Sequence, residues 1–378
     1  MVYPDVVVVG GGIVGLSCAW VMARAGLHVT VVERGSMGCG ATNASAGMLA
    51  PLSEAHEQGP FVDLGLASLA RYPEFVRRLN EETGEHIAST CEGLMRVAMS
   101  PEEAAGLDDA ARWQKAIGLP VERLTGDAAR HLEPELSPEI VAATRTPQEQ
   151  RYDPPDLTRG LVAACINRGV RLMEGTHALG LLTSGARVLA VQTPTEDLHA
   201  HSIVLATGAW TQTWASCLQV PLPVFPVKGQ ILAVHPGRAQ GSSSPTLGHT
   251  IYSHHGYLVP RADGCILVGA TSEPHVQHTH VTVAGVASLL EAGKRLMPGL
   301  GAATFEGAWA GLRPATPDGL PLIGPVARWQ NVYVAAGHYR NGILLAPITA
   351  DLVSGLILGE ELPISLQPYL PARFLDGE

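Results

Sequence analysis

Charge is scarce in this sequence: of 378 residues, 16% are Asp, Glu, Lys or Arg, against 46% that are apolar. A chain this poor in charge can bury most of its surface, which excludes intrinsic disorder. Positive charge is scarcer than negative: the formal net charge is -10 with no basic cluster, which argues against a nucleic-acid partner. The six cysteines, at 18, 39, 91, 165, 217 and 265, include no CxxC pair and no zinc-type spacing, so they read as reduced thiols of a cytoplasmic protein. Histidines gather at 249, 254, 255, 275, 278 and 280, but their spacing matches no metal motif; no metal is expected. No uninterrupted apolar run reaches the ~20 residues of a membrane helix. The N-terminal apolar stretch follows Asp5, lacks a basic leader and is punctuated by glycine, so it does not read as a signal sequence. The run from Ile343 to Leu358 carries Pro347 and Asp351 and reads as a core helix. The 42 glycines and 28 prolines show no period, and no internal repeat is visible.

What is present begins at Val6. Val6 to Val9 is β-branched throughout, the pattern of a strand buried on both faces. It leads into Gly10-Gly11-Gly12-Ile13-Val14-Gly15, then a helix-like segment ending at Gly26, then a second strand, "HVTVVE", ending in Glu33. Strand, G-x-G-x-x-G, helix, strand and acid in that order form a dinucleotide site. Gly10 makes the turn, Gly12 admits a pyrophosphate, Gly15 lets helix and strand pack, and Glu33 accepts from a ribose. After Glu33 the chain enters "RGSMGCGATNASAGMLAP", where small residues replace the helix of an NAD domain and let backbone amides close around a large flat ligand.

At "GATNASAGML" the sequence resembles the D-amino-acid oxidase superfamily of flavoproteins, and within it the bacterial glycine oxidases of thiamine biosynthesis. The segments "HSIVLATGAW", "PVKGQ", "GYLVPR", "VGAT", "WAGLRPATPDGLPLIG" and "AAGHYRNGILLAP" follow in the family's order, so the resemblance spans the chain. It implies a mixed α/β fold: a discontinuous Rossmann-like FAD-binding domain of the glutathione-reductase type, with an inserted antiparallel-rich substrate domain. The expected division is 1–85, 151–215 and 310–378 for FAD, and 86–150 and 216–309 for substrate. Between these, "VKGQILAV", "YLVPRA" and "CILVGAT" read as strands, and Glu102 to Ala129 as an exposed helix.

The resemblance also implies where FAD touches the chain. Beyond the glycine motif with Ile13, Val14 and Glu33, the implied contacts are Arg34, Ala41, Thr42, Ala46, Gly47 and Met48. Ala178, Thr207 and Gly208 follow, then the run His338, Tyr339, Arg340, Asn341, Gly342, Ile343 and Leu344. Sarcosine oxidases of this superfamily hold flavin through a cysteine in the C-terminal third; here none follows Cys265, so noncovalent FAD is expected.

Oxidation of an amino acid moves a hydride from Cα to flavin N5, so the protein's task is to orient the substrate and exclude water. The substrate's carboxylate is its handle, and arginine grips a carboxylate bidentately with a charge it cannot lose. Arg313 in "AGLRPATPDG" and Arg340 in "GHYRNG" are the candidates, and the resemblance makes Arg313 the main contact; an ion pair of either with an acid such as Asp318 is the plainer alternative. Arg340 precedes an apolar helix whose N-terminus is already positive, so an anion is expected there. Tyr252 and Tyr257 match pocket-lining positions, provided a turn at 254–256 brings them to one face, and Met48 matches another. Ser272 stands where the family commonly has methionine, which leaves pocket size and polarity open. No side chain is assigned as acid or base.

The expected function is an FAD-dependent oxidase of glycine and other small amines or D-amino acids, such as sarcosine, D-alanine and D-proline, producing an imino acid and, with O2, hydrogen peroxide. A homotetramer follows by resemblance. The main alternative is a D-amino-acid dehydrogenase that passes electrons to a quinone, although no basic amphipathic anchor is visible. A non-catalytic flavin subunit would have no need of two carboxylate-binding arginines. The stretch after Glu33 disfavours an NAD-dependent dehydrogenase. A surface loop at 237–245 is a candidate border of the entrance.

Overall fold

The computed structural model describes residues 3–55, 57–89, 92–237 and 247–375. Of the loop at 237–245, only Gly237 is among them. Val6–Val9 forms a strand inside a six-stranded sheet, paired in parallel with Val29–Val32 on one side and Ser202–Leu205 on the other. Arg171–Met173 extends one edge in parallel; Val332–Ala336 and the antiparallel Leu322–Pro325 extend the other.

The all-valine run is explained by its two covered faces. Val6 and Val8 join a core formed with the helices Ile13–Arg24, Pro154–Asn167 and Gly342–Leu358. Val7 and Val9 point the other way, into a core shared with a three-stranded antiparallel sheet, Gly180–Ser184, Arg187–Gln192 and Asp197–His199. A strand with no solvent side has no place for a polar alternation.

The second large sheet has nine strands, all pairing antiparallel except Leu94–Ala98 beside Thr250–Ser253. Its longest members, Phe225–His235 and Thr304–Ala315, run against each other, and Ile266–Gly269 and Gly256–Pro260 follow from the first of them. The break expected after 309 falls inside Thr304–Ala315, every residue of which lies in that strand of the second sheet. The break after 150 falls inside Gln150–Arg151, which pairs with Met48–Leu49.

Two expectations fare differently. The "HHG" turn exists: Thr250–Ser253 and Gly256–Pro260 form a hairpin in which Tyr252 pairs directly with Tyr257. The long helix over 102–129 does not. A helix covers Pro101–Ala116, a strand Glu122–Thr125 and a short helix Gly126–Leu132. Gly118, at φ +82°, and Pro120 break the helical run, and Leu124 then turns into the core of the second sheet. No helix among the described residues is long and apolar enough to cross a membrane.

Candidate active site

A single cavity of about 1300 Å³ runs between the two large sheets, lined from Gly10 at one end to Arg313 and Tyr252 at the other. That exceeds the roughly 300–1,000 Å³ of ordinary small-molecule sites and leaves room for a dinucleotide with a small substrate beside it.

The nucleotide end is built from close backbone contacts. Gly10 has φ +111°, and a Cβ there would lie 2.3 Å from the Ala206 carbonyl oxygen. A Cβ on Gly15 would lie 2.0 Å from the carbonyl oxygen of Gly10, so helix and strand touch without an intervening side chain. The first turn of the helix carries no acid, and Gly12, Ile13 and Val14 face the cavity. The Ile13 N–H donates to Thr42 Oγ1 at 3.0 Å. Glu33 faces the cavity while its two oxygens accept from the Gly11 and Gly35 amides, each at 2.8 Å. The Arg34 guanidinium lies 3.6 Å from the centroid of the Trp210 ring, forming a flat platform suited to an adenine. An acid-free helix N-terminus beside an acid at the end of the adjacent strand fits pyrophosphate and ribose, and these residues would hold the ADP half of FAD.

Along the middle, Ala41, Thr42, Ala46, Gly47 and Met48 form one wall, and Ala178, Thr207 and Gly208 line the cavity as well. The fully buried Arg151 fixes this wall: its Nε donates to the Ala46 carbonyl at 3.2 Å and its Nη2 pairs with Asp153 at 2.7 Å.

At the far end, the Arg313 guanidinium lies flat on Gly229. A Cβ on that glycine would stand 2.2 Å from Cζ, Nη1 and Nη2 alike. Nη1 donates to the Thr271 carbonyl at 3.0 Å, and among the described residues Arg313 forms no ion pair. Asp318, the acid that could have neutralised it, is held by Arg373 at 2.7 Å. Tyr252 and Tyr257 stack with ring centroids 6.4 Å apart. Burial pushes the Tyr252 phenol up to about 12 and also raises Tyr257, so both remain neutral hydrogen-bond donors. Ser272 and Met48 complete the wall.

The helix Gly342–Leu358 points its N-terminus at this end, again with no acid in its first turn. Tyr339, Arg340, Gly342 and Ile343 line the cavity there. His338 does so too, buried, with Nε2 3.0 Å from Thr349 Oγ1. Burial lowers its pKa from 6.5 to about 3, so it is neutral in the folded protein. Below pH 6.5 the unfolded chain therefore binds a proton that the folded one refuses, and stability falls with acidification. That dependence is about 1.4 kcal/mol per pH unit between pH 6.5 and 3. Urea titrations across that range should show His338→Gln losing this component of the slope.

Three expected cofactor residues stand off the cavity wall. Gly15 serves the packing described above. The Asn341 amide donates to Glu54 Oε2 at 3.0 Å. Leu344 is fully buried in the core, and its carbonyl accepts from Ser68 Oγ at 2.6 Å. Glu54, Gly229 and Trp210 are cavity residues that sequence reasoning passed over. Gly229 and Trp210 sit inside the quoted "PVKGQ" and "ATGAW" motifs, whereas nothing local singles out Glu54. Of the histidines, His254, His255, His278 and His280 line the cavity, and buried His249 is bound to Glu133 and Arg145.

The family model described as FAD dependent oxidoreductase (DAO) matches residues 5–356. A glycine oxidase of Geobacillus kaustophilus is 36% identical over 98% of this chain and 97% of its own. A bifunctional protein ThiO/ThiG of Synechocystis is 37% identical over 98% of this chain, which spans 54% of that longer protein. The crystal structure of the Geobacillus glycine oxidase superposes with a TM-score of 0.94, covering 99% of both chains at 34% identity. With a family match over nearly its whole length and near full-length relatives above 30% identity, this chain belongs to the FAD-dependent oxidoreductases of the D-amino-acid oxidase family.

Proposed function

We propose that the protein is an FAD-dependent oxidase of glycine and related small amines or D-amino acids, yielding an imino acid and hydrogen peroxide. The observation that carries this reading is Arg313, a cation laid flat in the cavity with no ion-pair partner among the described residues. Such a group awaits a carboxylate. FAD, when bound, would supply a two-electron acceptor for the hydride leaving Cα and, once reduced, the reductant for O2. The chain's own residues grip the carboxylate through Arg313, offer phenol donors from Tyr252 and Tyr257, and enclose the amine in a site poor in water. Enclosure favours the neutral amine, which is the form that can release hydride.

The oxidase relatives support this reading over a quinone-linked dehydrogenase. The ThiO/ThiG relatives support a place in thiamine biosynthesis, where the imine is the useful product. Cytoplasmic residence is supported by the unpaired state of the described cysteines, and a homotetramer by the resemblance alone.

The test is anaerobic addition of glycine, sarcosine, D-alanine, D-proline and L-alanine to the yellow protein, followed by air. Bleaching by glycine or the small D-amino acids and prompt peroxide formation are expected. Bleaching with slow reoxidation would identify a dehydrogenase, and a flavin that none of the five reduces would remove the function. Acid precipitation should leave the yellow colour in the supernatant, because no cysteine follows Cys265 in the segments carrying Arg313 and Arg340.

A further inference from the structure

Two acids stand on the cavity wall among the described residues, and only one is accounted for. Glu33 belongs to the nucleotide end. Glu54 reaches the other end, where its Oε2 accepts from the Asn341 amide at 3.0 Å. Burial raises its pKa, while the Arg340 guanidinium, the Asn341 amide and Arg313 act in favour of the ionised form, and the carboxylate in turn faces Tyr252 and Tyr257.

The position is built rather than incidental. The Leu52 and Ser53 amides and Ser53 Oγ, just before Glu54, donate to the fully buried Glu149 carboxylate at 2.7, 3.0 and 2.5 Å. Thr146 Oγ1 adds a donor to Glu149 at 2.6 Å, and the Gln114 amide holds the Leu52 carbonyl at 3.0 Å. A buried carboxylate with four donors is thus committed to the segment that carries Glu54 into the cavity.

Arg313 and Arg340 against an ionised Glu54, with the nearby Arg96 offset by Glu149, leave this end with one net positive charge. That suits a single substrate carboxylate and is hostile to a second. We propose that Glu54 is the charge-selectivity residue of the site: it favours amino acids with one carboxylate and rejects amines that carry two. The proposal rests on the reading of this end as the substrate site, and it names the substrate class as monocarboxylate amino acids.

The probes are glycolate, one negative charge, and diglycolate, two, neither of which is an amine. Their dissociation constants are measured by calorimetry on the FAD-loaded wild type, Glu54→Gln and Glu54→Asp. Glutamine keeps an acceptor for Asn341 while removing the charge. In a partly buried site, Glu54→Gln should tighten glycolate about tenfold and diglycolate about a hundredfold, because the repulsion scales with ligand charge. Glu54→Asp should keep the wild-type preference. Equal tightening of the two ligands, no tightening, or an aspartate variant that behaves like glutamine would each overturn the proposal.

Should Glu54→Gln fail to retain FAD, the wild type alone decides through kcat/KM for sarcosine against iminodiacetate, which adds only a second carboxylate. A preference of about a hundredfold for sarcosine is expected, and parity or the reverse overturns the assignment. A wild type that binds glycolate but oxidises no amine would remove the oxidase reading while leaving the charge rule standing. One that binds neither probe would remove the charge rule.

Discussion

Arg313→Ala should raise the substrate dissociation constant roughly 10- to 150-fold, the equivalent of about 1.5–3 kcal/mol for one lost charged hydrogen-bonded contact. The environment gives no replacement. The guanidinium lies on Gly229, tethered to the Thr271 carbonyl, and Asp318 is occupied by Arg373. Removing it therefore leaves no partnered acid exposed on the described side of the cavity, so the effect should appear in substrate binding and not in folding. FAD content and the visible spectrum should remain those of the wild type. Arg313→Lys should fall between, because lysine keeps the charge but loses the fork. The measurement is the substrate dependence of anaerobic flavin bleaching, which separates binding from the chemical step. An unchanged dissociation constant would move the carboxylate to Arg340.

Gly15→Ala should abolish FAD retention. A Cβ at 2.0 Å from the Gly10 carbonyl oxygen must gain about 1 Å, and the obstacle is backbone that cannot swing aside. Gly10 cannot yield in turn, since its own far side rests on the Ala206 carbonyl. The helix Ile13–Arg24 has to lift away from the sheet, at an overpacking cost of about 1–3 kcal/mol. Its N-terminus then withdraws from the pyrophosphate, and a displacement of about 1 Å is enough to cost on the order of a hundredfold where groups are pre-positioned. The ratio of flavin to protein absorbance should fall to below about a tenth of the wild-type value. Gly106→Ala, where an added Cβ meets nothing within 4 Å, is the matched control and should keep its colour.

The parts of this molecule legible in sequence were those whose physics is local. A valine strand covered on both faces, a glycine turn, a helix start and an acid after the next strand all lie within residues 6–33, so one stretch of chain contains the whole argument. Arg313 and Arg340 stood out as permanent cations in glycine-flanked motifs, and it was the resemblance that gave them the substrate carboxylate. Glu54 was not, because its meaning comes from Asn341 and Glu149, which stand 287 and about a hundred residues away along the chain. Asn341 is a flavin contact by the resemblance, through its backbone amide; its side chain reaches Glu54. Leu344, implied as a flavin contact by the same resemblance, has its side chain in the core, since each residue of a helix turns about 100° from the last. The over-long helix at 102–129 came from composition winning over Gly118 and Pro120, although the strand after them is set by pairing with residues 142–145.

The strand order of the first sheet also sets a timetable. Val6–Val9 is made some two hundred residues before its neighbour Ser202–Leu205, and Val332–Ala336 beyond it comes later still. At roughly 5–20 residues per second, the wait from the first strand to Val332–Ala336 is on the order of 15–60 s. Until Ser202–Leu205 is made, the all-valine strand has the nascent Val29–Val32 along one edge and nothing native along the other. The helix Gly342–Leu358, which shares the core of Val6 and Val8, is made later still. The flavin site therefore closes only after Gly342–Leu358 has been made, and until Ser202–Leu205 arrives the strand Val6–Val9 is a client for whatever chaperone shields newly made apolar edges.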